Sequence, residues 1–169
     1  QRAKDVARRQ GCSANLRQCG LAVLQYAQDN NGRAFLSKMD SDGSVLAWPK
    51  ALYNLKFMTC RDVFVCTEAP PWKFANNWYR TYGMRWHRDI DPKYAGQLGA
   101  MEAYPAILSL PEPSNYAFLA DSMRDVDGNR LFQQGWMLNL DYLGVYDTLA
   151  HARHTSSSNV WFADGHAEA

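Results

Sequence analysis

The sequence predicts an α+β domain: a long N-terminal helix packed on a small antiparallel sheet with long loops. Three observations point that way. Apolar residues recur at helical spacing near the start of the chain, short apolar runs of strand length lie near its end, and four of the seven prolines fall between Asp89 and Pro113, where periodicity is weak. At 169 residues the chain suits one domain, 1–169, read as a helical stem and spine (1–30), a loop-rich middle (31–115) and a C-terminal sheet (116–169).

Gln1 to Asn30 reads as one helix of good helix formers, with Cys12, Leu16, Cys19, Val23 and Tyr26 on a single apolar face. Asp29-Asn30-Asn31-Gly32 stops it, with Gly32 suited to the left-handed cap. From Gln1 to Gln10 the only large apolar residue is Val6, among Arg2, Lys4, Asp5, Arg8 and Arg9. That half is expected to project as a solvated stem, and its polarity suggests that more helix precedes it in the intact protein.

Asp40-Ser41-Asp42-Gly43 is a turn signal. Trp48 to Phe57, with an early proline, reads as a short helix, and Val63 to Cys66 as a brief strand. Asn77 to Trp86 alternates aromatic residues and reads as extended, and Asp89 to Pro113 as a long irregular excursion. Tyr116 to Ala120 is a buried strand ending at Asp121, and Asp125 to Asn129 a turn. Asn159 to Ala163 is a strand leading into Asp164-Gly165, read as a two-residue hairpin turn.

Composition narrows the function. Hydrophobic residues at 47% and charged residues at 21% exclude a disordered chain, and a net charge of +1 supplies no field for nucleic acid. No stretch reaches the ~20 apolar residues of a membrane span. Four cysteines, Cys12, Cys19, Cys60 and Cys66, fit an oxidising compartment, and no C-x-x-C pair suggests zinc. Cys12 and Cys19 stand seven residues apart on one helix, about 10 Å, too far to bridge. Free buried thiols, a link from the helix to Cys60 or Cys66, and a Cys60–Cys66 link all remain open.

Catalytic motifs are wanting. Ser156-Ser157-Ser158 lies near His151 and His154 without a nucleophile elbow, and phosphate-binding glycine signatures are absent. Asp125-x-Asp127-x-Asn129 begins like a calcium loop, but Gly128 falls at the fourth position instead of the sixth. Asp121, His154, Asp164 and His166 are candidate ligands of a divalent ion. The simpler reading is a hydrogen bond between His154 and Asp164 or the Asp164-Gly165 turn, pinning the last hairpin and needing no cofactor.

Two stretches and three landmarks resemble the pilin-like proteins of the prepilin-type H-x(9)-D-G group. Ala7 to Gly32, with Cys12, Asn15-Leu16-Arg17-Gln18, Gly20-Leu21-Ala22, Tyr26 and Asp29-Asn30-Asn31-Gly32, resembles the helix that follows the membrane segment. His154, nine residues, then Asp164-Gly165 resembles the C-terminal signature. Val63 to Cys66, Thr81-Tyr82-Gly83-Met84 and Leu119-Ala120-Asp121-Ser122 resemble intervening landmarks in the right order, with Thr67 where proline usually follows the cysteine and Arg85 where asparagine is usual. The resemblance implies a pilin-like fold and a structural subunit of a pilus or of the pseudopilus of type II secretion. It would be anchored in the inner membrane by a preceding apolar helix, with its globular domain periplasmic or extracellular. Its partners would be other pilin-like subunits, through that helix, and the assembly machinery.

Two other functions compete. A secreted glycan- or polymer-binding module would stack sugars on Trp72, Trp78, Tyr79, Tyr82 and Trp86. A metal-dependent hydrolase would use the histidine cluster, but no paired catalytic motif supports an enzyme.

Overall fold

Helix α1 spans Arg2–Asp29, 28 residues. The computed structural model describes residues 2–40, 42–85, 104–125, 132–138, 148–154 and 156–168. The two halves of α1 behave as their side chains require. Residues 3–11 are exposed or half-buried, whereas Cys12, Leu16, Cys19, Ala22, Val23, Tyr26 and Ala27 are buried in the core. That buried set repeats every three or four residues, so one stripe of the cylinder meets the rest of the domain. Gly32, at φ 77°, donates its N–H to the Ala27 carbonyl at 2.8 Å and closes the helix.

The chain then forms a hairpin of β1 (Ser37–Met39) and β2 (Val45–Ala47), turned at the expected Asp40 to Gly43. Helix α2 follows at once, Trp48–Asn54, with Pro49 in its first turn. It stops three residues before the predicted end. Lys56 sits at φ 68° and breaks the helix, and Phe57 packs on Tyr26 from outside it, with ring centroids 5.4 Å apart.

The expected strand at Val63 to Cys66 is instead a 3-10 turn, Arg61–Phe64, followed by extended Val65 and by Cys66, both buried. A four-residue apolar run carries no period, and here burial is met without any strand partner. Of the aromatic segment, β3 (Gly83–Arg85) is extended, while Trp86 lies outside the described residues, as does most of the 89–113 excursion. Its described end holds the 3-10 turn Ile107–Ser109 and leads to another at Pro113–Asn115.

β4 (Ala117–Ala120) and β5 (Ser122–Asp125) flank Asp121, where the chain passes from one sheet to another. β6 (Phe132–Gln133), β7 (Met137–Leu138), β8 (Leu149–Ala150), β9 (Val160–Phe162) and β10 (Ala167–Glu168) complete the strands. The main sheet has the order β10-β9-β4-β3-β7, antiparallel except for the parallel β3–β7 pair, and a three-stranded sheet has the order β6-β5-β8. The predicted turn beginning at Asp125 falls on the end of β5 and on residues outside those described.

The β9–β10 hairpin is longer at its tip than the sequence suggests. Trp161 pairs with Ala167, Phe162 N–H donates to the His166 carbonyl and Gly165 N–H to the Phe162 carbonyl. The loop is therefore three residues, Ala163 to Gly165, ending on Gly165 at φ 100°, as a turn followed by a left-handed residue requires. Helix α1 lies on this sheet, with Leu16, Cys19 and Val23 in one core with Phe118, Leu119 and Trp161.

Candidate functional site

At the corner between β4 and β5, four chemistry-bearing side chains meet below the surface. Helix α1 contributes Cys12, the segment after the Arg61–Phe64 turn Cys66, the β4–β5 corner Asp121, and the loop before β9 His154. Cys12, Cys66 and Asp121 are at most 1% exposed and His154 is 5% exposed, so solvent is shut out.

The contacts form a chain. Cys66 Sγ donates to Cys12 Sγ across 2.9 Å. His154 Nε2 lies 3.4 Å from Cys66 Sγ and 3.2 Å from Asp121 Oδ2. Oδ2 also accepts the Asn159 N–H at 2.8 Å, and Arg153 Nε stands 3.9 Å from Oδ1. A carboxylate has no proton to give, so the ring proton lies on Nε2, pointing at Asp121.

The backbone around the sulfurs is held with equal care. Buried Gln134 accepts the Cys66 N–H on Oε1 at 2.9 Å and donates Nε2 to the carbonyls of Cys66, at 2.9 Å, and Ala69, at 3.0 Å. Tyr82 donates its hydroxyl to the Cys12 carbonyl at 3.0 Å. A segment with no strand partner thus has its polar groups satisfied by side chains.

Electrostatics follow the geometry. The Cys66 thiol donating to it holds Cys12 well below the ordinary thiol range; burial opposes this, and His154 and Thr67 add to the lowering. Cys66 is pushed up, by donating to Cys12 and then by burial. Burial pushes His154 down, but its bonds to Asp121 and Cys12 outweigh that and raise it to about 9. The arrangement thus favours deprotonation at Cys12 over Cys66 and the protonated form of His154.

The structure redistributes the residues that the sequence singled out. His154 does not bond Asp164. Asp164 Oδ1 lies 2.6 Å from His166 Nδ1, and that imidazole stacks on Phe162 with centroids 4.3 Å apart. The reason is the length of β9. A tight turn, with His154 N–H donating to the Ser157 carbonyl and Ser157 N–H to the His154 carbonyl, leaves His154 at the start of the strand, whereas Asp164 follows its end. The three residues of β9, about 10 Å of extended chain, stand between Asn159 and the loop that carries Asp164. The four candidate ligands therefore divide into a buried pair, Asp121 and His154, and an exposed pair, Asp164 and His166.

Ligand atoms of Cys12, Cys66 and His154 all lie within 4.8 Å of one another, a set with the chemistry to hold a metal ion. Sequence spacing hid it because the ligands come from three distant segments. Cys19 is apart, its Sγ donating to the Val63 carbonyl at 3.5 Å, and Cys60 is exposed. All four cysteines are free thiols.

The aromatic candidates do not make one platform. Tyr82 is wholly buried, and Trp78 is held among Tyr53, Phe64 and Phe74. Tyr79 donates its hydroxyl to the Val45 carbonyl, and Trp72 is the most open of the four described rings, at 61% exposure. Among the described residues no helix is long and apolar enough to cross a membrane. Comparison with known protein families, with curated proteins and with solved structures finds no match to this chain.

Proposed function

We propose that this chain is a structural subunit of a pilus or of a type II secretion pseudopilus, with its globular domain displayed outside the inner membrane. The observation that carries this reading is the division of α1. Its C-terminal part from Cys12 is the spine of the core, while residues 3–11 continue the same helix out of the domain with mostly exposed polar side chains. A rigid helix leaving a globular head is what a fibre subunit needs, because it transmits the position of the head to a shared axis. The motifs from Ala7 to Gly32 and from His154 to Gly165, which resemble pilin-like proteins, support the same reading. In those proteins the apolar helix that precedes this one makes the contacts with neighbouring subunits and with the assembly machinery.

A structural role also suits the sealed cluster. His154 and the two thiols have no open face for a substrate, so neither hydrolase nor thiol chemistry on an external molecule is assigned to the folded domain.

The test uses the full protein in its native host, with an epitope tag in the exposed turn at Asp42-Gly43. Tagged protein should appear in the inner-membrane fraction and in fibres sheared from the surface or raised by overexpression, and immunogold should decorate them. A protein found wholly in the soluble cytoplasmic fraction overturns the reading.

A further inference from the structure

We propose that Cys12 and Cys66 are the two halves of an intramolecular disulfide that staples helix α1 to the segment after the Arg61–Phe64 turn. The inference rests on geometry alone and does not need the subunit reading. The two sulfurs stand 2.9 Å apart, closer than non-bonded sulfurs rest, although the residues are 54 positions apart in the chain. Both are buried, and both backbones are held by partners that would survive the bond: Tyr82 on the Cys12 carbonyl, Gln134 on the N–H and carbonyl of Cys66. Closing to the ~2.05 Å of a disulfide shortens the sulfur separation by less than 1 Å.

A metal ion held by Cys12, Cys66 and His154 asks for more. A tetrahedral zinc with Zn–S bonds of about 2.3 Å sets its two sulfurs about 3.8 Å apart, so the pair would have to open. The imidazole lone pair would have to come from Nε2, which carries its proton toward Asp121 Oδ2 at 3.2 Å. That oxygen is already committed to the Asn159 N–H. Two existing hydrogen bonds oppose a metal, whereas the disulfide gives up the S–H···S bond that it replaces with a covalent one.

The chemistry is thiol–disulfide exchange with an external disulfide as oxidant, either a disulfide-bearing oxidoreductase or a small-molecule disulfide. One cysteine thiolate attacks a sulfur of the acceptor, forming a mixed disulfide and releasing one thiolate. The second cysteine attacks its partner's sulfur in that mixed disulfide, forming the Cys12–Cys66 bond and releasing the second thiolate. Two electrons pass to the acceptor, and the two thiol protons pass to the two released thiolates. Because the folded pair is sealed from solvent, the exchange takes place while the domain folds.

The experiment is refolding of the full chain in a mixture of reduced glutathione and glutathione disulfide, followed by non-reduced peptide mapping. A Cys12–Cys66 peptide should form, two of the four thiols should remain titratable, and reduction should lower the melting temperature. Cys19→Ser and Cys60→Ser should keep the link; Cys12→Ser and Cys66→Ser should lose it. Four free thiols after refolding, or a link through Cys60, would overturn the proposal. So would one equivalent of zinc bound by the protein as isolated from its host with the Cys12 and Cys66 thiols intact.

Discussion

Trp161 is seated directly on Gly20: a Cβ added to Gly20 would stand 2.2 Å from Cε2 of the indole. The wholly buried indole of β9 uses the missing side chain as its pocket in α1. Gly20→Ala gains roughly 1 kcal/mol of helix propensity. It also drives a methyl group into a ring that has nowhere to go, and overpacking of that kind costs about 1–3 kcal/mol. With a contact this short the clash wins, and urea unfolding should show a net loss of about 2 kcal/mol.

Gln134 should matter more than its place between two short strands suggests. Replacing it with Leu fills similar volume but leaves the Cys66 N–H and carbonyl without their partner, while the Ala69 carbonyl keeps the Trp72 N–H at 2.8 Å. Each buried orphan costs about 1–3 kcal/mol. Gln134→Leu should therefore lower stability by about 2 kcal/mol or more in denaturant unfolding, whereas a change at exposed Phe132 should be nearly neutral.

Thiol reactivity should single out one residue. Cys60 alone is exposed, and burial pushes the Cys19 thiol up and away from its reactive form. Native alkylation followed by mass spectrometry should modify Cys60 rapidly and leave Cys12, Cys19 and Cys66 unmodified until the chain is unfolded. Rapid native labelling of Cys19 would contradict its packing against the Val63 carbonyl.

Asp164 should titrate below the ordinary aspartate range, first because it accepts the His166 backbone N–H and then because it accepts from the His166 ring. A carboxylate with its folded pKa depressed adds stability above its unfolded pKa and loses it as pH falls through the folded value. Carbon-detected NMR should place the Asp164 midpoint below that of an unfolded aspartate near 3.9. Part of that displacement should survive His166→Ala, since the backbone amide is the largest single cause.

Gly165→Val should destabilise through the backbone alone. A side chain there would meet Leu24 Cδ1 at an ordinary 3.7 Å, but φ is 100°, a region that valine strongly avoids. Such a residue costs roughly 1–3 kcal/mol. Thermal unfolding of Gly165→Val against Gly165→Ala should rank Val as the worse, with no loss of core packing in either.

The N-terminal helix was legible because a 3.6-residue period is a local property: Cys12, Leu16, Cys19, Val23 and Tyr26 needed no knowledge of their partners to be placed on one face, and the structure buries all five. The strands at 117–120 and 160–162 and the final hairpin were legible for a similar reason, being short apolar runs bounded by turn residues. Where a run lacked a period, as at Val63 to Cys66, the sequence could not separate a strand from a 3-10 turn, since both bury the same side chains.

The cluster lay beyond that kind of reading. His154 and Asp164 share a motif, yet an intervening strand holds them at opposite ends, and His154 finds its carboxylate 33 positions earlier, at Asp121. The meeting of Cys12 with Cys66 depends on how α1 crosses the sheet and on how Gln134 folds the middle segment back beneath it. The sequence by itself determined which residues prefer a helix, a strand or a turn, and which faces are apolar, because these follow from backbone sterics and hydrophobic periodicity over a few neighbours. Which thiol meets which thiol, and which acid meets which imidazole, was decided by tertiary packing alone, because burial fixes side-chain partners in space without regard to their distance along the chain.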